Sequence, residues 1–146
     1  MSKSNTFENE LLLLLFNNTD IANIGDASGL QNSATAGSLY VALHTADPGE
    51  SGTATTSEAA YTGYARVAVA RSGAGWTVSS NNVTNAADIV FPTSSDGPEV
   101  ETHWSICKES SGASVILYKG ALSASLTVNN LIAPRIIAGA LDVNED

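Results

Sequence analysis

The sequence predicts a mostly β protein: a single antiparallel β-sandwich domain, jelly-roll or immunoglobulin-like, with an N-terminal α-helix. From Leu39 onward, short strand-like runs are separated by turn residues, which is the pattern of a sandwich. Charged residues make up only 14% of the chain, below the roughly 25% of ordinary domains, while small residues abound. The longest strongly apolar run, Leu11 to Phe16, lies in the N-terminal segment and predicts the helix.

We expect three segments along the chain. Residues 1–19 should form the helix, residues 20–38 a loop or linker, and residues 39–146 the β-sandwich domain. The linker assignment depends on small polar residues and three glycines that show no sustained period. A length of 146 residues suits one domain with one hydrophobic core.

The predicted helix is apolar on both sides. Asn5 is the expected N-cap, Glu8 its capping-box partner, and the helix should end near Asn17 and Asn18. A helix that is apolar all round needs cover on every side, so it either packs wholly onto its own domain or docks one face onto a neighbouring subunit. In the docking hypothesis Leu12 and Phe16 face the partner, and the full candidate interface is Phe7, Leu11, Leu12, Leu15 and Phe16.

About eight or nine strands are expected. The clearest is the alternating run from Tyr64 to Arg71, which indicates a half-buried strand. The other candidates are Leu39 to His44, Trp76 to Val78, Asn82 to Thr84, Asp88 to Phe91, Thr102 to Lys108, Val115 to Lys119, Ser125 to Val128 and Arg135 to Val143.

Charge and hydropathy exclude several classes of partner. The chain carries 15 acidic and 6 scattered basic residues, a formal net charge of -9, whereas a nucleic-acid-binding protein needs clustered Lys and Arg. The Leu11 to Phe16 run is far shorter than the roughly 20 residues that cross a bilayer. It also lacks the flanking charges of a signal peptide. We therefore expect no nucleic-acid or membrane partner and a protein held in the host cytoplasm until assembly.

A catalytic set can be written from His44, His103, Ser105 and Asp47, but its support is weak. Ser105 follows His103 at strand spacing, yet no nucleophile elbow surrounds it. Structural histidines are the favoured interpretation, with a small hydrolase as a distant alternative. We predict no catalytic residues.

No cofactor or metal site is predicted. Cys107 and two histidines are too few and too far apart for zinc. Asp20 and Asp26 lack the alternating pattern of a calcium loop, and no phosphate-binding or dinucleotide fingerprint is present. A sugar-binding adhesin would need exposed aromatic side chains, but core packing is the favoured role of Tyr61, Tyr64, Trp76 and Trp104.

Several segments together resemble a family of small tailed-phage and prophage virion proteins, often labelled phage tail fibre proteins. They are Leu39 to Glu50, Tyr61 to Val69, Gly75 to Val78, Phe91-Pro92 and Leu117 to Gly120. The resemblance implies a virion structural protein and supplies no catalytic residues. We expect a homo-oligomer that binds the major capsid protein or tail subunits. Capsid decoration (a cement protein) is favoured first, and a small tail, tail-fibre or head-to-tail accessory protein second.

Overall fold

The computed structural model describes residues 2–145, which form one helix and nine strands. The helix α1 spans Asn5–Asn17. The strands are β1 (Ser38–His44), β2 (Val67–Ala70), β3 (Trp76–Ser79), β4 (Asn82–Asn85), β5 (Ile89–Val90), β6 (Glu99–Cys107), β7 (Ile116–Val128), β8 (Arg135–Ile136) and β9 (Asp142–Asn144). The predicted mostly β, antiparallel architecture with one N-terminal helix is confirmed.

The strands form three sheets. One has the order β2-β1-β6-β7, the second β3-β4-β9, and the third pairs β5 with β8. The chain also divides into two compact units. Unit 1 takes the described parts of residues 1–38, 69–88 and 136–146, and unit 2 takes residues 39–68 and 89–135. The predicted boundaries at residues 19/20 and 38/39 stay a prediction.

In unit 1, α1 contacts the β3–β4 hairpin. The core contains Leu12, Phe16, Trp76 and Val83, all fully buried, and the ring of Phe16 meets Trp76 edge to face with 4.9 Å between centroids. An edge-to-face pair places the positive rim of one ring on the negative face of the other, which adds to the gain from burial. The helix is therefore anchored to the sheet of its own unit.

The ends of α1 follow from local chemistry. Ser4, not the predicted Asn5, is the N-cap, and its hydroxyl accepts a hydrogen bond from the Phe7 N–H at 3.4 Å. Asn18 ends the helix with φ 55°, a left-handed conformation that asparagine tolerates better than most residues. The predicted end near Asn17 and Asn18 is confirmed.

In unit 2, β1 pairs with β6, and β6 pairs with β7. The register places His44 opposite His103 and Ala42 opposite Ser105. On the other side of β6, four β7 residues, 122–125, bulge out opposite Thr102, because the ladder steps from Glu101↔Leu126 to His103↔Ala121. The predicted strands Val115 to Lys119 and Ser125 to Val128 are therefore parts of one bulged strand.

Two other predicted strands differ in extent. The run from Arg135 to Val143 is broken into β8 and β9, because residues 137–141 include a glycine at φ 77° and leave the ladder. The alternating run from Tyr64 to Arg71 is a strand only over Val67–Ala70. Arg66, just before it, is buried and makes a bidentate ion pair with Glu58 at 2.6 and 2.8 Å.

Candidate functional site

The apolar helix α1 is the first candidate, and the structure separates its two sides. Leu12 and Phe16 have no exposed surface, so their assignment to a partner-facing side is wrong. They belong to the core of unit 1, because one helical turn brings both onto the strip that faces Trp76. The other predicted interface residues, Phe7, Leu11 and Leu15, are half-buried and keep some accessible surface.

Long-range polar contacts fix which side of α1 faces inward. The Arg71 guanidinium donates to the carbonyl oxygens of Leu14 and Leu15, both at 2.7 Å, in the last turn of the helix. Near the other end, the Asn9 side chain donates to the Ser80 carbonyl oxygen at 2.9 Å. Carbonyls in the last turn lack intrahelical partners, and a cation there also complements the helix dipole. These contacts hold the rotation of the helix, on which Phe7 and Leu11 stay half-buried.

A buried serine–histidine pair is the second candidate. His44 Nε2 lies 2.7 Å from Ser105 Oγ, and His44 Nδ1 lies 2.9 Å from the Thr56 carbonyl oxygen. Because that carbonyl can only accept, Nδ1 carries the proton and Nε2 accepts from the serine hydroxyl. Burial lowers the pKa of His44 and keeps the ring neutral. Both residues have 0% exposure, so no substrate reaches the pair in this conformation.

The other members of the sequence-derived catalytic set lie elsewhere. Ser105 bonds to His44, although sequence spacing had suggested His103. His103 Nδ1 is instead 2.8 Å from the Thr102 hydroxyl. The Asp47 carboxylate is exposed and accepts from the Gly49 N–H and from Lys119, contacts that lower its pKa. No acid–base–nucleophile triad forms from these four residues.

The aromatic side chains considered for sugar binding are mostly interior. Trp76, Tyr61 and Trp104 are 0%, 4% and 8% exposed. Tyr64 is half-buried and stands edge to face with Tyr61 at 5.3 Å. The favoured prediction, that these rings pack in the core, is confirmed for the three buried rings.

Sequence reasoning missed a pair of carboxyl groups at the start of β6, one of them fully buried. Glu99 and Glu101 share one face of the strand, and Glu101 has 0% exposure. The Glu99 Oε1 accepts from the backbone N–H groups of Ala60 and Tyr61 at 2.8 and 3.1 Å. No N–H or O–H donor within residues 2–145 serves either oxygen of Glu101.

Glu101 is consequently protonated near neutral pH. Burial, and then the nearby negative charge of Glu99, raise the pKa of Glu101 to about 8. A buried carboxyl group beside a carboxylate keeps its proton because ionisation would place two like charges close together. The sequence signal that could have revealed this pair was an acidic residue at an inward position of a strand, two residues after another acidic residue.

The described residues contain no group of metal ligands and no membrane-spanning helix. Within residues 2–145, no three His, Cys, Asp or Glu side chains are grouped so as to hold a metal ion. Asp26 and Asp20, the calcium candidates, accept hydrogen bonds from the backbone N–H groups of Ser28, Gly29 and Asn32. In the same range, no helix is long and apolar enough to cross a membrane.

Comparison with known families covers α1 and both units. The family model described as podophage GP4 fiber I protein gp80 matches residues 2–144. The chain belongs to this family. Membership in this fibre family supports the resemblance to phage virion proteins. It also supports a structural role for the chain in a phage. No curated protein matches the chain.

Proposed function

We propose that the chain is a structural subunit of a podophage fibre and acts by binding other virion proteins. The observation that carries this proposal is the family match over residues 2–144, which includes the helix and both units. A fibre role also fits a mostly β chain whose described residues provide no assembled catalytic triad or grouped metal ligands. We therefore favour the tail-fibre alternative over capsid decoration.

A non-catalytic role is supported by the burial of the one serine–histidine pair. A serine nucleophile must meet its substrate, and its base must take a proton beside it. Ser105 and His44 are fully enclosed, and the third group on the ring is the Thr56 carbonyl, not a carboxylate. The pair instead cross-links β1 to β6 inside unit 2.

Attachment to the virion partner is assigned to the outer side of α1. We define that side by Phe7, Leu11 and Leu15, which are half-buried and keep accessible surface, whereas Leu12 and Phe16 are fully buried. Each methylene that a partner removes from water contributes about 0.8 kcal/mol, so a few such side chains suffice for an anchor once ordering costs are met. The inner side is already occupied by the core of unit 1.

Quantitative mass spectrometry of separated particle parts tests the location. Purified virions would be fractionated into tailless heads and tails with fibres, and the copy number of the chain would be compared with that of the major capsid protein. We expect it with the tails and fibres, in few copies per particle. Copy numbers close to those of the capsid lattice, found in tailless heads, would instead establish capsid decoration.

A further inference from the structure

A short loop segment of unit 2, residues 60–62, lies against the strand that carries the buried Glu101. We call it the cover segment. Glu99 and Glu101 share one face of β6, and Glu99 Oε1 accepts from the N–H groups of Ala60 and Tyr61. These bonds place Tyr61 beside Glu101. Burial, and then the negative charges of Glu101 and Glu99, raise the pKa of Tyr61 to about 12, which agrees with this proximity.

Side-chain contacts hold the cover segment, which belongs to no strand. Besides the two bonds to Glu99, the Thr62 N–H and hydroxyl both donate to the Asp96 carboxylate. The Tyr61 hydroxyl donates to the Pro92 carbonyl oxygen at 3.0 Å. Loops held by a few such contacts open at a lower free energy than strands inside a sheet.

The β-sheet encloses Glu101 firmly on one side only. Glu101 pairs with Leu126 of β7, whereas the ladder between β1 and β6 ends at His44 and His103, two residues short of Glu101. The cover segment lies beyond that end. It is therefore the part of the enclosure that can move with the least loss of hydrogen bonding.

Ionisation of Glu101 is incompatible with the closed enclosure. Its side chain has no exposed surface, and no donor within residues 2–145 serves either carboxylate oxygen. A carboxylate in such a place has neither water nor a hydrogen bond to stabilise its charge, so burial favours the neutral acid. Movement of the cover segment would bring water to the group and remove this penalty.

The neighbouring titratable groups do not offset that penalty. They are Glu99 and His103 on β6, Tyr61 on the cover segment and Asp96 beside it. Asp96 stays ionised near neutral pH, because its bonds with Thr62 lower its pKa. Glu99 adds a negative charge that opposes a second one on Glu101. The stretch of β7 opposite, residues 122–128, contains no titratable side chain.

We propose that Glu101 is a pH-dependent switch: its protonated form keeps the cover segment closed on β6, and its ionisation releases the segment. The closed state has a Glu101 pKa of about 8, against the ordinary 4.5 for a carboxyl group that water reaches. Between those values the open fraction should rise by up to about tenfold per pH unit, and above pH 8 it should level off. Release would expose the Tyr61 ring, which is now 4% exposed. This switch goes beyond the proposed fibre role.

Amide hydrogen exchange of the full chain, followed by NMR between about pH 5 and pH 8, tests the switch. After correction for intrinsic exchange, the protection factors of the Ala60 and Tyr61 N–H groups should fall by up to about tenfold per pH unit. Low urea should leave them unchanged, because local opening exposes little surface. Protection factors that do not depend on pH would overturn the proposal. So would a urea dependence equal to that of amides in the β1–β6 ladder, since the opening would then be global.

Two amide variants identify the titrating group. Glu101→Gln cannot ionise, so its protection factors at Ala60 and Tyr61 should be independent of pH. Glu99→Gln is the matched variant, because its side-chain oxygen can still accept from both N–H groups while its charge is gone. It should keep a pH dependence over a narrower range. A dependence that persists in Glu101→Gln, or that vanishes only in Glu99→Gln, would refute the assignment. The wild-type profile tests the switch even if Glu101→Gln does not fold.

Discussion

Arg71 Nε donates to the carbonyl oxygen of Leu15 at 2.7 Å, linking the segment after β2 to the last turn of α1. The same guanidinium reaches the carbonyl oxygens of Leu14 and Ala36. One side chain therefore joins the helix, the following loop and the start of the β3 hairpin within unit 1. Arginine suits this position because its planar fork offers several donors in fixed directions.

Removal of that fork should destabilise unit 1. We expect Arg71→Ala to lower the free energy of unfolding by about 1.5–3 kcal/mol, because carbonyl groups lose a charged donor. Arg71→Lys should recover only part of the loss, since one ammonium cannot reproduce the fork. Urea titration followed by circular dichroism measures both, with Lys108→Ala at an exposed position as the control. Equal stability of Arg71→Ala and wild type would contradict the proposed anchoring.

Gly120 is required by the close approach of Trp104 across the β6–β7 ladder. A Cβ at position 120 would lie 2.6 Å from Trp104 Cζ2 and 2.8 Å from Cε2. The ring is 8% exposed and cannot move without disturbing the core, so Gly120→Ala should cost about 1–3 kcal/mol. Gly73→Ala is the matched control because nothing lies within 4 Å of its Cβ. An unchanged urea midpoint for Gly120→Ala would show that the strand shifts to make room for the methyl group.

Glu101 should make stability fall as pH rises. Its folded pKa of about 8 lies above the ordinary value of 4.5, so the folded state keeps a proton that the unfolded chain releases. Between those two pKa values the free energy of unfolding then decreases by up to about 1.4 kcal/mol per pH unit. Below the lower value this contribution is fully present, and above pH 8 it is lost.

The variant Glu101→Gln should flatten this dependence because an amide does not ionise. Urea unfolding at several pH values between 5 and 9 gives the difference between variant and wild type, which isolates the single group. Glu50→Gln, at a side chain that is 95% exposed, serves as the control and should leave the profile nearly unchanged. A parallel pH profile for Glu101→Gln and wild type would mean that Glu101 is ionised in the folded protein.

The sequence predicted the individual strands more accurately than the contacts between them. Alternation and turn residues located most strands, but the four-residue bulge that merges two predicted runs into β7 depends on the pairing of β7 with β6. The approach of Ser105 to His44 likewise depends on the β1–β6 register, which places His44 opposite His103. Neither relationship is encoded in local spacing, because the first joins residues 18 to 25 positions apart and the second joins residues 61 positions apart.

The same dependence on contacts between distant segments explains why Leu12 and Phe16 of α1 were assigned to the partner-facing side. Leucines at five consecutive positions give the helix no clear polar side, so periodicity could not say which side faces inward. Contacts from Trp76, Arg71 and Ser80 settle the rotation, and all three residues lie more than 50 positions further along the chain. The burial of Leu12 and Phe16 thus required the tertiary structure.

Paired aspartate substitutions on the two sides of α1 separate folding from attachment. Leu12→Asp with Phe16→Asp puts two carboxylates into the core beside Trp76, and we expect unit 1 to unfold, because single large-to-small changes at such sites already cost about 2–5 kcal/mol. Phe7→Asp with Leu11→Asp changes half-buried side chains, so the thermal transition should fall only slightly. Incorporation of this second variant into particles should drop sharply if the outer side is the attachment surface.

The measurement is complementation of phage that lack the wild-type gene, followed by quantification of the chain in purified particles. Calorimetry of each isolated variant shows whether lost incorporation reflects lost folding. Normal incorporation of Phe7→Asp with Leu11→Asp would remove the helix from the attachment surface. Unfolding by that pair would instead assign the outer side to the internal core, where Leu12 and Phe16 already lie. Loss of incorporation with an intact thermal transition is the result that the proposed attachment requires.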